Sequence, residues 1–208
     1  MLILFILTFS YLVGAIPTGY WFAKYCFCVD VTESGSGNIG ATNVARVLGN
    51  KKYFFLIFFL DFLKAFFALF LIKKICNFSY LILPKDYFEL WLKPSIFDIL
   101  FYSSIFLLIG NAYSIFLKFK GGKGVATALG ILAFLGPLKL FLMFLSCWGL
   151  ILVISRRVDI ASLISTYFIT FVYLFFPDPQ NFFLFLLFLC IWLTFRHKSN
   201  IKALIIKN

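Results

Sequence analysis

Charged residues are scarce in this chain, and acidic ones are the scarcest. Of 208 residues 13% are charged, with eight aspartates and glutamates against 19 lysines and arginines. Soluble domains carry about 25% charged residues. Here 63% of the residues are hydrophobic and 31 are phenylalanine, which is more apolar surface than a water-soluble chain of this length buries. The composition excludes a soluble enzyme, a disordered chain and a disulfide-stapled secreted domain, and it predicts an integral membrane protein.

The chain also has little histidine, and its cysteines lack the spacing of a metal site. The chain has one histidine, His197, and its five cysteines are scattered; Cys26 and Cys28 form a C-x-C without the second pair that a metal site needs. With a single histidine, no Ser-His-Asp nucleophile is visible. We therefore expect no metal and no cofactor, and we interpret the cysteines as structural.

Hydrophobic runs divide the chain into seven predicted membrane spans. A helix needs about 20 apolar residues to cross the hydrocarbon core. The run 125–154 is too long for one helix and too short for two full ones, and Gly136-Pro137 in its middle marks a turn. The predicted spans are about 2–22, 53–72, 96–116, 125–135, 138–154, 160–176 and 181–195. The predicted fold is an all-α integral membrane protein, with residues 1–208 forming a single compact bundle of seven transmembrane helices, some of them short.

The connections between these spans carry charge unevenly. A mixed-charge loop is predicted from Lys73 to about Ser95, and a turn at Pro177-Asp178-Pro179. The cations of one predicted face, thirteen in all, are Lys24, Arg46, Lys51, Lys52, Lys118, Lys120, Lys123, Arg156, Arg157, Arg196, Lys198, Lys202 and Lys207. The five of the other face are Lys73, Lys74, Lys85, Lys93 and Lys139. The positive-inside rule predicts that the first face is cytoplasmic, with the N-terminus outside and the C-terminus inside.

The segment SGSGNIGATNVAR follows the first span and is polar and glycine-rich. Glycines with small hydroxyl and amide side chains let the backbone turn tightly and direct N–H groups at an anion. Thr42 or Asn43 is predicted to cap a helix beginning near Val44, whose N-terminus would favour a phosphate. Arg46 adds a planar fork for phosphate oxygens. The alternative is a flexible linker, but a linker needs neither the arginine nor the two asparagines, Asn38 and Asn43.

A second glycine-rich segment, FKGGKGVAT, follows the third span. Gly124 stands where a P-loop has serine or threonine, so a magnesium–nucleotide site is not indicated. Gly121, Gly122 and Gly124 let backbone N–H groups approach an anion, and Lys120 and Lys123 supply charge. The alternative is a basic turn that only obeys the positive-inside rule. Two such loops on one predicted face indicate a phosphate-bearing substrate bound at the cytoplasmic interface.

Three other polar groups draw attention. Asp61 and Lys64 lie three residues apart within the second span, and so on one helix face; we predict a structural ion pair, with direct substrate contact as the alternative. Asp159 is predicted to cap the sixth span. His197, in the basic tail, is a candidate general base or a holder of a substrate hydroxyl.

These motifs, with the D-x-x-K pair at Asp61 and the H-x-x-N-I tail at His197, resemble the bacterial acyl-phosphate-dependent glycerol-3-phosphate acyltransferases in order and spacing. The resemblance implies a seven-helix enzyme of the bacterial inner membrane with its active site on the cytoplasmic face. The implied reaction moves a fatty acyl group from acyl phosphate to the 1-hydroxyl of glycerol 3-phosphate, giving lysophosphatidic acid, as the first step of phospholipid synthesis. Beyond these substrates, the expected partners are the lipid bilayer and a soluble enzyme that makes acyl phosphate, but not nucleic acid.

The resemblance also implies site residues. The catalytic candidates are Ser36, His197 and Asn200. The phosphate-binding candidates are Arg46, Lys120, Lys123, Gly121, Gly122, Gly124, Asn38, Asn43 and Ser162. The chain departs from the family at Asn111, where a histidine is usual, and at Asp159 and Ala161, where serines are usual, so that only Ser162 of that motif is kept.

The expected mechanism is direct transfer without an acyl-enzyme, because acyl phosphate is a mixed anhydride with a good leaving group. One alternative is a small membrane transporter of an anionic solute, which basic loops and short, broken spans also fit. A transporter would place polar residues at mid-membrane in several helices, and only Asp61 and Lys64 qualify. Another alternative is a degenerate acyltransferase kept as a membrane scaffold.

Overall fold

A computed structural model describes residues 1–82, 95–176 and 180–205. In these ranges the chain is helical, and no strand is present beyond an isolated bridge between Ser114 and Lys120. The α-helices are α1 (Leu2–Ala15), α2 (Thr18–Phe27), α3 (Ala41–Val47), α4 (Lys52–Ile82), α5 (Ile96–Ala112), α6 (Val125–Leu135), α7 (Leu138–Ser155), α8 (Val158–Tyr173), α9 (Gln180–Arg196) and α10 (Lys198–Ile205). A short 3₁₀ helix, Ile115–Leu117, follows α5. The all-α prediction is confirmed.

The first predicted span is two helices rather than one. Pro17 separates α1 from α2, whose axes differ by 43°. A proline disfavours helical geometry in the residue before it, and Ile16 accordingly leaves the helical region, with φ −56° and ψ 112°. At the break the Ile16 carbonyl accepts hydrogen bonds from the Thr18 N–H at 3.1 Å and from the Lys64 ammonium at 2.9 Å.

The second predicted span, 53–72, is too short, because α4 continues to Ile82. The prediction that a loop begins at Lys73 is therefore wrong. Helix α4 continues to Ile82 because the residues after Lys73 and Lys74 are again mostly apolar. The ammonium groups of these lysines lie over aromatic rings, 5.9 Å from the Phe134 ring centroid and 5.6 Å from that of Phe70. Cations over ring faces are attracted by the ring quadrupole. Residues 83–94 of the predicted loop lie outside the described part of the chain.

The remaining predicted spans coincide with helices, with shifted ends. Helix α5 begins at a capping box, in which Ser95 and Asp98 bond each other's backbone N–H, but it ends at Ala112, short of the predicted boundary. The turn predicted at Gly136-Pro137 is confirmed, since α6 ends at Leu135 and α7 begins at Leu138. The predicted turn at 177–179 lies outside the described residues.

Among the described residues, two helices are by themselves long and apolar enough to cross a membrane, Lys52–Ser79 within α4 and the whole of α7. The bent pair α1–α2 qualifies as a third if it forms one span. The shorter apolar helices are Ile96–Ala112, Val125–Leu135, Val158–Tyr173 and Phe182–Arg196. These lengths are those of an integral membrane protein, while the number of crossings and the orientation stay predictions.

The chain forms two compact units, Met1–Phe134 and Leu135–Asn208. In the first unit, α1 packs along α5, and α3 packs on α4. A buried cluster under the first glycine-rich segment consists of Ala23, Val31, Ile39, Ala41, Val44 and Ile57. In the second unit, α8 packs against both α7 and α9.

Candidate active site

The first glycine-rich segment is an ordered loop built around Asn43. The Asn43 side chain is 2% exposed. Its Oδ1 accepts a hydrogen bond from the Ser36 N–H (2.8 Å), and its Nδ2 donates to the carbonyls of Val31 and Ser34, each at 3.0 Å. Gly35 has φ +63°, and a Cβ there would overlap the Asn43 side chain. The packed, fully bonded asparagine shows why this segment is not a flexible linker.

The predicted helix cap in this loop is wrong. Helix α3 begins at Ala41 with Gly40 as its N-cap, and no side chain accepts from its first turn. Asn38 instead accepts the Gly40 N–H at 2.9 Å, and this contact directs the chain into α3.

Before the loop, the pKa of Asp30 lies below its ordinary value because the hydroxyl and N–H of Thr32 both donate hydrogen bonds to its carboxylate.

Ser36 and Arg46 lie on the surface of this loop and of α3, where their side chains are exposed. Arg46 is in the last turn of α3. The Ser36 N–H is bonded to Asn43, so the backbone at Ser36 is held in place while the residue stays exposed. An ordered loop that presents a hydroxyl and a guanidinium is suited to an anionic ligand.

The second glycine-rich segment folds back onto the end of α5. The Gly122 N–H donates to the Asn111 carbonyl at 2.9 Å. A Cβ on Gly121 would overlap the backbone of Asn111 and Ala112, so this position admits only glycine. Gly124 has φ +86° and lies directly before α6. The loop leaves Lys120 exposed and Lys123 half-buried.

The Asp61–Lys64 ion pair predicted within α4 is confirmed. The Lys64 ammonium lies 2.7 Å from the Asp61 carboxylate, and the two side chains are 9% and 13% exposed. Thr18 donates a further hydrogen bond to Asp61 at 2.7 Å. Lys64 also donates to the Asn111 Oδ1 at 3.1 Å. The pair therefore ties the break between α1 and α2 to the end of α5, on which the second glycine loop rests.

In the second unit, Ser162 and His197 are both buried. Ser162 donates to the Val158 carbonyl at 2.7 Å and accepts from the Trp148 Nε1–H at 3.1 Å. His197 Nδ1 lies 2.8 Å from the Leu193 carbonyl. A carbonyl only accepts, so Nδ1 carries the proton, and in the neutral ring Nε2 is the basic nitrogen. His197 stands at the junction of α9 and α10.

Asp159 joins this junction to α8. Its carboxylate accepts two hydrogen bonds from Arg157, at 3.1 and 2.7 Å, and one from Asn200 Nδ2 at 2.6 Å. Burial would raise the pKa of Asp159, which precedes the predicted span, but the hydrogen bonds from Arg157 and Asn200 and the guanidinium charge outweigh burial and hold this pKa far below its ordinary value. The predicted cap is wrong, because Arg157 is the N-cap and Asp159 lies within the first turn.

The predicted residues thus fall into two groups, each within its own unit. The first unit holds Ser36, Asn38, Asn43, Arg46, Lys120, Gly121, Gly122, Lys123 and Gly124, and the second holds Ser162, His197 and Asn200. Sequence reasoning missed Thr18 and Trp148. Thr18 lies near the end of an apolar run and Trp148 lies inside one. A polar group in such a place is a signal that could have identified both residues.

Known proteins resemble the chain along its whole length. The family model described as "Glycerol-3-phosphate acyltransferase" matches residues 4–207. The glycerol-3-phosphate acyltransferase of Aquifex aeolicus is 37% identical over 204 residues, which cover 97% of this chain and 95% of the relative. The enzyme of Bacillus subtilis is 33% identical over 207 residues, covering 100% of this chain and 96% of the relative.

Solved structures have the same fold. The crystal structure of PlsY (YgiH), an integral membrane glycerol 3-phosphate acyltransferase, in its glycerol 3-phosphate form matches with a TM-score of 0.81 at 33% identity, covering 100% of this chain and 94% of that one. Its lysophosphatidic acid form matches with a TM-score of 0.80 at 33% identity, covering 100% and 93%. The chain therefore belongs to the glycerol-3-phosphate acyltransferase family, membrane enzymes of phospholipid synthesis.

Proposed function

We propose that this chain transfers a fatty acyl group from acyl phosphate to the 1-hydroxyl of glycerol 3-phosphate, releasing lysophosphatidic acid and phosphate. The observation that carries the proposal is the pair of ordered glycine loops in the first unit, which present Arg46 and Lys120 at the surface. The relatives solved with glycerol 3-phosphate and with lysophosphatidic acid support this acceptor and this product.

Direct transfer suits the residues present. The acceptor hydroxyl oxygen attacks the acyl carbonyl, the bond from this carbon to the bridging oxygen breaks, and phosphate leaves with the electron pair. A nucleophilic triad would place a carboxylate on the Nδ1 of its histidine, whereas His197 Nδ1 donates to the Leu193 carbonyl. The acceptor proton goes to His197 Nε2 or to the acceptor's own phosphate.

The cations supply positioning and charge neutralisation. Arg46, Lys120 and Lys123 would hold the phosphates of both substrates and offset the charge that develops on the leaving group. In the first unit, the exposed residue Ser36 would contact the acceptor. In the second unit, Asn200 is the proposed acceptor contact, and Ser162, whose O–H donates to the Val158 carbonyl, would have to break that bond to contact a phosphate. We place this site at the cytoplasmic face of the bacterial inner membrane, where a soluble enzyme would deliver acyl phosphate.

The test is an assay with purified protein, glycerol 3-phosphate and acyl phosphate, with acyl-CoA as the control donor. Arg46→Ala and Lys123→Ala should each abolish transfer, whereas Lys51→Ala, which removes an exposed lysine of the same predicted face, should leave it near wild type. Near-wild-type rates in both site variants would contradict the site assignment. Use of acyl-CoA alone would overturn the donor, and flux of an anionic solute without acylation would favour the transporter.

A further inference from the structure

Asp159 is a charged group that the mechanism above leaves without a role. Its side chain is 11% exposed, and it gathers three hydrogen bonds on two oxygens. The bidentate contact from Arg157 fixes the plane of the carboxylate, because the guanidinium fork and the carboxylate match in geometry. The third bond, from Asn200, comes from α10, far away in sequence. The carboxylate therefore holds a side chain of the tail.

The chemistry of a carboxylate decides which way the Asn200 amide points. An ionised carboxylate has no hydrogen to donate, so the atom of Asn200 that lies 2.6 Å from Asp159 Oδ2 must be the Nδ2 donor. The reverse orientation would bring two oxygens together at that distance. With Nδ2 bonded to Asp159, the Asn200 carbonyl oxygen occupies the other branch of the amide, which the carboxylate does not contact.

An amide held in this orientation selects one kind of substrate group. The carbonyl oxygen is an acceptor, so this atom pairs with a hydroxyl and not with a phosphate oxygen, which is itself an acceptor; a phosphate would have to use the remaining Nδ2–H. Glycerol 3-phosphate carries two hydroxyls. The reacting 1-hydroxyl must lose its proton, and a neutral amide oxygen is not a base that takes one. The 2-hydroxyl, which keeps its proton throughout, is the matching donor.

We propose that Asp159, locked by Arg157, is a positioning residue that turns the Asn200 carbonyl toward the 2-hydroxyl of glycerol 3-phosphate and so sets the selectivity for this acceptor. The inference rests on the proposed function in one respect, that Asn200 contacts the acceptor. It does not depend on the acyl donor, so the donor that the wild type accepts can be used.

The experiment compares two acceptors, glycerol 3-phosphate and 3-hydroxypropyl phosphate, which lacks only the 2-hydroxyl. For the wild type we expect kcat/KM to favour glycerol 3-phosphate by about tenfold, as the loss of one hydrogen bond implies. Asp159→Ala and Asn200→Ala should each bring this ratio close to one, because the first removes the acceptor that orients the amide and the second removes the amide itself. The double variant should lower the ratio no further, since both changes remove the same contact.

Glu33→Gln is the matched control, because it neutralises an exposed carboxylate of the first unit that has no bond to Asp159, Arg157 or Asn200 among the contacts described for the cluster, and it should keep the wild-type ratio. A merely structural Asp159 would lower the rates for both acceptors equally and leave their ratio unchanged, and that result would overturn the inference. So would a wild-type ratio near one, a measurement that needs no variant to fold. A wild type that acylates glycerol 3-phosphate from neither donor would instead overturn the proposed function.

Discussion

The crossing of α1 and α5 gives a sharp test of how this membrane protein packs. A Cβ on Gly110 would overlap the Tyr11 carbonyl oxygen and lie 2.8 Å from the Ala15 nitrogen. Reciprocally, a Cβ on Gly14 would overlap the Leu107 carbonyl. Small residues at membrane-helix crossings let two backbones approach closely, where van der Waals contact holds the helices together. We predict that Gly110→Ala destabilises the protein.

The expected magnitude is a balance of two terms. Overpacking usually costs about 1–3 kcal/mol, and here the upper part of that range applies because backbone atoms are in the way and no rotamer change relieves the overlap. Alanine returns up to about 1 kcal/mol through its higher helix propensity. The net effect of Gly110→Ala is therefore a loss of about 2 kcal/mol, which lowers the unfolding midpoint by about 4–8 °C in a chain of this size.

Gly149→Ala is the matched control, since no atom lies within 4 Å of the added Cβ in α7 and the helix propensity gain is the same. We expect this variant to unfold at or slightly above the wild-type temperature. The assay is thermal unfolding of both purified variants in one detergent, followed by tryptophan fluorescence or by loss of soluble protein. Equal midpoints for the two variants would refute the close approach of α1 and α5.

Two other predictions concern buried polar groups in the first unit. Lys64→Met leaves the Asp61 carboxylate unpaired, which costs about 3–5 kcal/mol at a buried site; thermal unfolding in detergent should show this loss, and Lys64→Met with Asp61→Leu should recover most of it. Asn43→Ala removes the three hydrogen bonds that shape the first glycine loop; kinetics should show a KM for glycerol 3-phosphate raised by about tenfold, as the loss of about 1.4 kcal/mol implies.

Each of these predictions has an outcome that contradicts it. If the double change at Asp61 and Lys64 is no more stable than Lys64→Met alone, the cost does not come from an unpaired carboxylate. If Asn43→Ala keeps the wild-type KM, the shape of the loop does not matter for the acceptor. Asn50→Ala is a control for the second test, because the Asn50 side chain bonds only the exposed Lys52 N–H among the contacts described for it.

Local patterns predicted the features that depend on neighbours in the chain. Apart from the break at Pro17 and the extension of α4 past Lys73, the predicted apolar runs coincide with helices, because backbone hydrogen bonding in lipid has to be satisfied within each helix. The reach of α4 past Lys73 was missed because two adjacent lysines look like the end of a span, whereas here they lie over aromatic rings of their own unit. The cap assigned to Thr42 or Asn43 was wrong because Asn43 bonds groups before it in the loop rather than the start of α3.

The sequence by itself determined the membrane character, the positions of the apolar helices and both glycine loops, since composition and short spacings suffice for these. Only the tertiary structure decided that Lys64 reaches Asn111, that Asp159 orients Asn200 and that α1 and α5 meet at Gly14 and Gly110. Helices in lipid are held together by close packing and by a few interhelical hydrogen bonds. Such contacts join residues distant in the chain, and no local pattern specifies which of them become partners.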